Sequence, residues 1–331
     1  MNGSQLTELP DDSEQLRPYV VSLRRAALQA DPPSAVGTFS DGFLIRFLRA
    51  RDFDLPLSLK LLLNYLHWRR ESPEISTCLS PSSVFSLLKT SYHAVLPQRD
   101  PSGSRVLIYR IGQWNPKDWS AFQVFRVSLM TSEILSRETE TQRRGVKAIF
   151  DLKGWSLSHA LQINPSLARK ISSVLSDSFP LKVRGIHLVN EPMFFRPVLA
   201  MIRPFLPDKI KQRVHMHGTD FHHSLCDFFS ADVLPLEYGG EGLGIEEVCQ
   251  AWTQELLQSE NLLILPDKIK QRVRSIIFLF HKITSNSTMP IRTIFFTVRF
   301  TCKYPPWMYP EVQVKTMSFL SCRSICTART S

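Results

Sequence analysis

The chain has 331 residues, 43% hydrophobic and 21% charged, the balance of an ordinary globular protein, and no apolar run approaches the roughly 20 residues that span a bilayer. Its formal net charge of +10 suggests nucleic acid until it is located: residues 262–331 hold 11 Lys/Arg against 2 Asp/Glu, so the first 261 residues are near neutral and a broad nucleic-acid footprint is excluded. The opening MNGSQLTELPDDSEQ lacks the basic and apolar regions of a secretory signal, and Asn2 stands where N-myristoylation needs Gly, so a cytoplasmic protein is expected.

Residues 13–75 read as helical. FLIRFLRARDFD (43–54) packs apolar residues tightly around arginines, and after Pro56, suited to a first turn, LSLKLLLNYLHWRR (57–70) repeats the pattern. From about residue 83 to 247 the pattern changes to short β-rich runs, RVLIYRI (105–111), GVKAIFDL (145–152), RGIHLVN (184–190) and RVHMH (213–217). Helical runs at 121–140, 164–179 and 192–213 separate them, and a last helix is expected over 245–260. Strand alternating with helix predicts an α/β fold with a mainly parallel β-sheet and flanking helices, preceded by a small all-helical subdomain. The expected divisions are a helical subdomain at 1–75, a ligand-binding domain at 83–247, a C-terminal helix at 248–260 and an atypical, low-order extension at 261–331. LPDKIKQRV, at 206–214, recurs unchanged at 265–273 within that extension, and two isolated copies cannot form a stacked repeat.

Three features suggest chemistry. EPMFFRPVLAMIRPFL (191–206) is apolar nearly all round, with Asn190 as a candidate N-cap. It is either a buried core helix or a lid between core and ligand, and the basic cluster Lys209, Lys211 and Arg213 directly after it favours a membrane-docking lid. Two helices carry matched faces: Phe125, Ser128, Leu129 and Ser132 on one, and Leu167, Ile171, Val174, Leu175 and Ser178 on the other. Such stripes are ordinary core or the wall of a cavity in which a hydroxyl meets the polar end of an oily ligand. Arg46, Arg49, Arg51, Lys60, Lys182 and Arg184 form a scattered basic set. An arginine inside FLIRFLRAR needs a partner if buried, and a lipid phosphate would supply one. Catalytic signatures are missing: GxSxG, a phosphate-binding loop, GxGxxG after a strand and CxxC do not occur. His215 and His217 share a strand face and His222 adjoins His223, but no acidic or thiol ligand completes either pair, so structural histidines are expected.

FLIRFLRARDFDL, DPSGSRVLIYRIGQWNP, ETQRRGVKAIFDLKGW, LSDSFPLKVRGIHLVNEP, FLPDKIKQRVHMHG and LPLEYGGE together resemble the CRAL-TRIO lipid-binding family over about residues 6–260. The resemblance implies a non-enzymatic transfer protein without cofactor, holding α-tocopherol in a hydrophobic cavity closed by a lid at about 190–213. It implies cavity contacts at Phe125, Ser128, Leu129, Ser132, Val146, Ile171, Val174, Leu175, Phe179, Leu181, Val183 and Ile186, and lid contacts at Phe194, Val198 and Met201. It further implies a site for phosphatidylinositol bisphosphates at Arg51, Lys60, Lys182, Arg184, Lys209 and Arg213, with Lys60 where Arg is usual. Leu157 and Leu161 stand where Phe is usual and Phe194 where Ile is usual, swaps that bear on ligand selectivity and lid gating. Delivery to an anionic membrane, endosomal or plasma, would follow lid opening. The alternatives are a carrier of a retinoid or of phosphatidylinositol, a phosphoinositide-sensing adaptor, or a lipid hydrolase that would need a nucleophile outside the known motifs.

Overall fold

The computed structural model describes residues 2–30, 39–77 and 79–263. Cys78, Cys302, Cys322 and Cys326, the second LPDKIKQRV, and the expected low-order extension from residue 264 onward lie outside the described residues.

The helical part begins with α1 (Gly3–Thr7), whose Asn2 and Gln5 form a reciprocal capping box. Next come α2 (Arg17–Ala30), α3 (Asp41–Ala50), capped by Ser40, and α4 (Leu55–Glu71), capped by Asp54 with Pro56 in its first turn. Residues Phe43 to Ala50 of α3 are all buried, two arginines included. The chain itself supplies the partners these arginines need. Arg49 pairs with Asp11 and donates to Gln142 Oε1 at 2.8 Å and to the Leu9 carbonyl at 2.6 Å. Arg46 donates to Ser136 Oγ at 3.3 Å and lies 5.1 Å from the centre of the Phe43 ring. A lipid phosphate is not needed at either position. Two short helices follow, α5 (Pro73–Ser76) and α6 (Phe85–Leu88).

The rest is a five-stranded sheet with helices on both faces, in the spatial order β1-β2-β3-β4-β5. In chain order it runs β1 (His93–Arg99), β2 (Arg105–Arg110), α7 (Ala121–Leu135), α8 (Thr139–Arg144), β3 (Val146–Asp151), α9 (Leu157–Ala160), α10 (Pro165–Ser176) and β4 (Val183–Val189). Then come α11 (Arg196–Ile202), α12 (Asp208–Lys211), β5 (Val214–Met216), α13 (Phe221–Cys226), α14 (Ile245–Gln258) and α15 (Glu260–Leu263). β1 pairs antiparallel with β2, and every other pairing is parallel. Sequence pattern misses β1. Its first four residues are all buried, so HAVLPQR does not alternate, and Pro97 argues against a strand. β1 is an edge strand, where proline is tolerated. The expected C-terminal helix is α14, which begins at Ile245, and residues 261–263 belong to α15.

Helix α4 is tied to α7 by a buried triad. Tyr65 Oη donates to Glu133 Oε1 at 2.7 Å, and Arg69 Nη1 donates to the same oxygen at 2.6 Å. A carboxylate buried this deeply is sustained by two donors, one of them charged. α7 is thereby held against the helical part on one side, leaving its other side to the sheet.

One face of the sheet is packed solid. Ala94, Leu96, Val106, Ile108, Ile149 and Val189 meet Phe221, Leu225, Phe229, Val233, Leu234, Tyr238 and Val248, all buried. The opposite face carries Leu107, Tyr109, Val146, Ala148, Phe150, Ile186 and Leu188 and lines a cavity.

Candidate functional site

Helices α7 and α10 form the wall opposite the strands. Each starts firmly: Ser120 and Gln123 make a capping box on α7, and Asn164 accepts from Leu167 N at 2.9 Å on α10 with Pro165 in the first turn. α7 turns Ala121, Val124, Phe125, Ser128 and Ser132 to the cavity, and α10 turns Leu167, Ile171, Val174 and Leu175. The segment after β4 closes the space with Phe195, Val198, Leu199, Ile202 and Leu206, and β5 adds Val214. The cavity measures about 260 Å³, and no lining side chain carries a charge.

The lining hydroxyls are those of Tyr92, Tyr109, Ser128 and Ser132, and they are grouped. The Ser128 hydroxyl lies close enough to the Tyr109 phenol to pull against the effect of its burial, and the Tyr92 and Tyr109 rings are 6.2 Å apart. Burial raises both phenols well above their usual range, so they stay neutral. The Tyr109 ring is clamped between His93, stacked at 4.1 Å, and Phe150, stacked at 5.1 Å. His93 is fixed in turn by the Ile108 carbonyl at 2.9 Å and Thr131 Oγ1 at 2.8 Å, and burial pushes its imidazole down to about 3. The polar group is therefore rigid and uncharged.

Of the residues expected at the cavity, Phe125, Ser128, Ser132, Val146, Ile171, Val174, Leu175, Phe179, Leu181, Val183 and Ile186 lie on its wall. Leu129 does not. It is 1% exposed, inside the core behind α7. At 100° per residue it points about 90° from the centre of the lining arc, which follows 121, 124, 125, 128 and 132. Val198 reaches the wall from the lid. Phe194 lies outside, 38% exposed and stacked on Trp155 at 5.7 Å, and Met201 packs half-buried against the cluster of Leu152, Trp155 and Phe195.

The lid is not the continuous helix expected over 192–213. It is a 3₁₀ turn at Met193–Phe195, then α11, a second 3₁₀ turn at Arg203–Phe205, and α12. Pro192, Pro197, Pro204 and Pro207 each remove an N–H, which cuts the run into pieces. Asn190 does not cap it. It takes a left-handed conformation with φ 56°, and its amide donates to Asp151 Oδ1 at 2.8 Å. Asp151 Oδ2 accepts from Tyr238 Oη at 2.9 Å, anchoring this hinge to the packed side. Outside, Met193 is 84% exposed, Leu161 85% and Leu157 64%, an apolar fringe on α9 and the lid.

Four of the six expected phosphoinositide residues influence one another. Burial lowers the Lys182 ammonium's pKa, with Arg184 and Arg51 adding to it, and burial together with Arg184 lowers that of Arg213. Gly145 allows this crowding: at φ 83°, a Cβ there would fall 2.1 Å from the Lys182 carbonyl. The chain's own acids already engage the cluster. Lys182 Nζ lies 2.6 Å from Asp52, Arg51 Nη2 3.0 Å from Asp177, and Lys60 Nζ 3.4 Å from the same Asp177. Arg184 donates to the Arg144 carbonyl at 3.0 Å, and Arg213 donates to the Val183 carbonyl. Lys209 stands exposed on α12.

Sequence reasoning missed Tyr92, Tyr109, Trp114, Ala148, Phe150 and Trp155. For Ala148 and Phe150 a signal existed. They alternate with Val146, an expected wall residue, along one recognised strand, whereas no wall residue was expected on the strand of Tyr109. Tyr92, Trp114 and Trp155 sit in irregular connecting segments without periodicity, and nothing local marks them.

Comparison with known proteins matches residues 89–240 to the CRAL/TRIO domain. Among curated relatives, the Mus musculus "Alpha-tocopherol transfer protein-like" is 38% identical over 240 residues, covering 72% of this chain and 69% of that protein. Its Homo sapiens counterpart is 37% identical over 241 residues, covering 73% and 70%. Xenopus laevis Clavesin-1 is 30% identical over 242 residues, covering 71% and 70%.

Proposed function

The chain belongs to the CRAL/TRIO family of lipid carriers, and on that footing we propose that it encloses α-tocopherol and hands it to phosphoinositide-containing membranes by opening its lid. The observation that carries this is the wall's composition: apolar throughout, uncharged, with its hydroxyls gathered around Tyr109. Such a wall suits a long hydrocarbon ending in one neutral hydroxyl. Phosphatidylinositol fits less well as cargo, since its phosphate would meet no cation inside. Burying several hundred square ångströms of such a lipid contributes on the order of 10 kcal/mol before entropic costs, so spontaneous release is slow and a gate is required.

The lid supplies the gate. Its outer side and α9 offer Met193, Phe194, Leu157 and Leu161 to the acyl layer, while Lys209 and the Arg51–Lys182–Arg184–Arg213 cluster face anionic headgroups. In this reading the protein works in the cytoplasm, touches endosomal or plasma membranes transiently, and transfers its cargo unchanged. Among the described residues no helix is long and apolar enough to cross a membrane.

Native mass spectrometry of the full chain purified from cells fed α-tocopherol, retinol and phosphatidylinositol together tests this. The expected result is one tocopherol per chain. A retained retinoid would move the assignment to another neutral lipid, and a retained phosphoinositide would overturn the argument from the uncharged wall.

A further inference from the structure

His187, His215 and His217 form one stack on the face of β4 and β5 turned away from the cavity. The His187 ring lies 5.0 Å from His215 and 5.3 Å from His217, and Phe228 and Phe229 cover the group at 4.7 Å and 4.8 Å from His187. Among the described residues no cluster of His, Cys, Asp and Glu is suited to a metal, so another account is needed.

The hydrogen bonds dictate the protonation state. Ser224 Oγ donates to the Phe221 carbonyl at 3.1 Å, so it accepts from His217 Nδ1 at 2.7 Å. The His217 Nε2 lone pair then accepts from His187 Nδ1 at 3.0 Å. His187 Nε2 is left as a bare, buried nitrogen with no partner. This relay closes only with both rings neutral. A proton on His217 Nε2 would either set two N–H groups against each other or drive the His187 proton to Nε2, where it would be a buried donor without an acceptor.

The charges facing the stack do not favour protonation. Lys147 of β3 is close enough to depress His187 and His215, and it is itself paired with Asp100 at 2.7 Å. Asp227, after α13, opposes this only at His217. Burial, with the neighbouring rings and Lys147, brings His187 down to about 3, and burial lowers His215 and His217 as well.

The strand that carries His215, with His217 directly after it, is also what holds the lid. β5 is an edge strand of three residues, and Val214, its first, is on the cavity wall. The lid's C-terminal end is fixed by Ile186 N donating to the Arg213 carbonyl at 2.8 Å. Its N-terminal end is fixed by Asn190 N donating to the Gly218 carbonyl at 2.8 Å and by Glu191 Oε1 accepting from Gly218 N at 2.9 Å. Both ends of the lid therefore depend on residues 213–218.

We propose that the His187–His215–His217 stack is an acid-sensitive latch: protons entering it part β5 from β4 and free both ends of the lid. The consequence for cargo rests on the cavity being a lipid chamber, as proposed above. The sign follows from linkage. A base whose folded pKa is depressed stabilises the closed form fully above about 6.5, and that stabilisation is lost as the pH falls below it. For His187 alone, an opening that restores an ordinary pKa is favoured roughly 30-fold more at pH 5 than at pH 7.5.

Two measurements on the full chain test the latch. Without cargo, histidine ring and lid methyl NMR signals are followed from pH 7.5 to 4.5. The Val198, Leu206 and Ile210 methyls should shift together with the three imidazoles, and lid signals that stay fixed while the rings titrate would overturn the proposal. With cargo, transfer of α-tocopherol, read by its own fluorescence, to uncharged phosphatidylcholine vesicles should be at least tenfold faster at pH 5.0 than at pH 7.4. In His187→Gln/His215→Gln/His217→Gln, which lacks every ring of the stack, the change should be under threefold. Equal acceleration in both proteins, or none in the native chain, counts against the latch. Failure to retain tocopherol at pH 7.4 sinks the cargo reading instead, and the NMR titration then decides the latch alone.

Discussion

The two faces of the sheet draw on the same apolar residue types and meet different fates. On one, Ile108, Ile149 and Val189 are fully buried beneath Phe229, Leu225 and Tyr238. On the other, Leu107, Ala148, Ile186 and Leu188 are buried almost as well, yet a space of about 260 Å³ remains between them and α7, α10 and the lid. Burial from water and contact with neighbours are thus separate quantities. The first can be read from residue type. The second depends on how close the opposing layer comes, and here α7 is held back by Tyr65 and Arg69 gripping Glu133 on its far side.

That contrast can be broken by substitution. The largest effect belongs to the packed face: Phe229→Ala should cost about 3–5 kcal/mol in urea unfolding, because the ring is 1% exposed and its neighbours cannot close the hole. Leu175→Ala on the cavity wall should cost well under half as much, since it only enlarges an existing void. Comparable losses would mean that both faces are equally filled. Next comes Ala148→Phe, which places a ring in the cavity. Tocopherol affinity should fall by roughly 10- to 100-fold, about 1–3 kcal/mol, while the thermal midpoint hardly moves. The smallest effect is at the rim, where Lys209→Ala should slow transfer to anionic vesicles about fivefold, roughly 1 kcal/mol, with solution affinity unchanged. High salt should erase that difference, and a salt-independent loss would place Lys209 in the closed lid rather than at the membrane.

Much of this architecture is legible in the sequence, and the limits have physical causes. β2, β3 and β4 show as β-rich runs because strands inside the sheet are buried on both sides and select Val and Ile. The faces of α7 and α10 show because helical spacing survives in any amphipathic helix. Leu129 illustrates the limit: a stripe gives a direction to within a residue or so, and a single step around the helix separates wall from core. The lid shows a second limit. Composition marks 191–206 as apolar, but only packing decides which of its residues face inward, and Phe194 and Met201 turned elsewhere. The basic cluster shows a third. Its cations are evident, whereas Asp52 and Asp177, which engage them, become neighbours only through the fold.

The prolines of the lid carry one more consequence. Pieces of three, seven, three and four residues are far too short to hold helical shape in water, where about 12–15 residues are marginal. Phe195, Val198, Leu199, Ile202 and Leu206 keep their places by leaning on what lies beneath them. Under the proposed function part of that support would be the passenger itself, so that loading would complete the architecture and unloading would remove a structural member along with the freight.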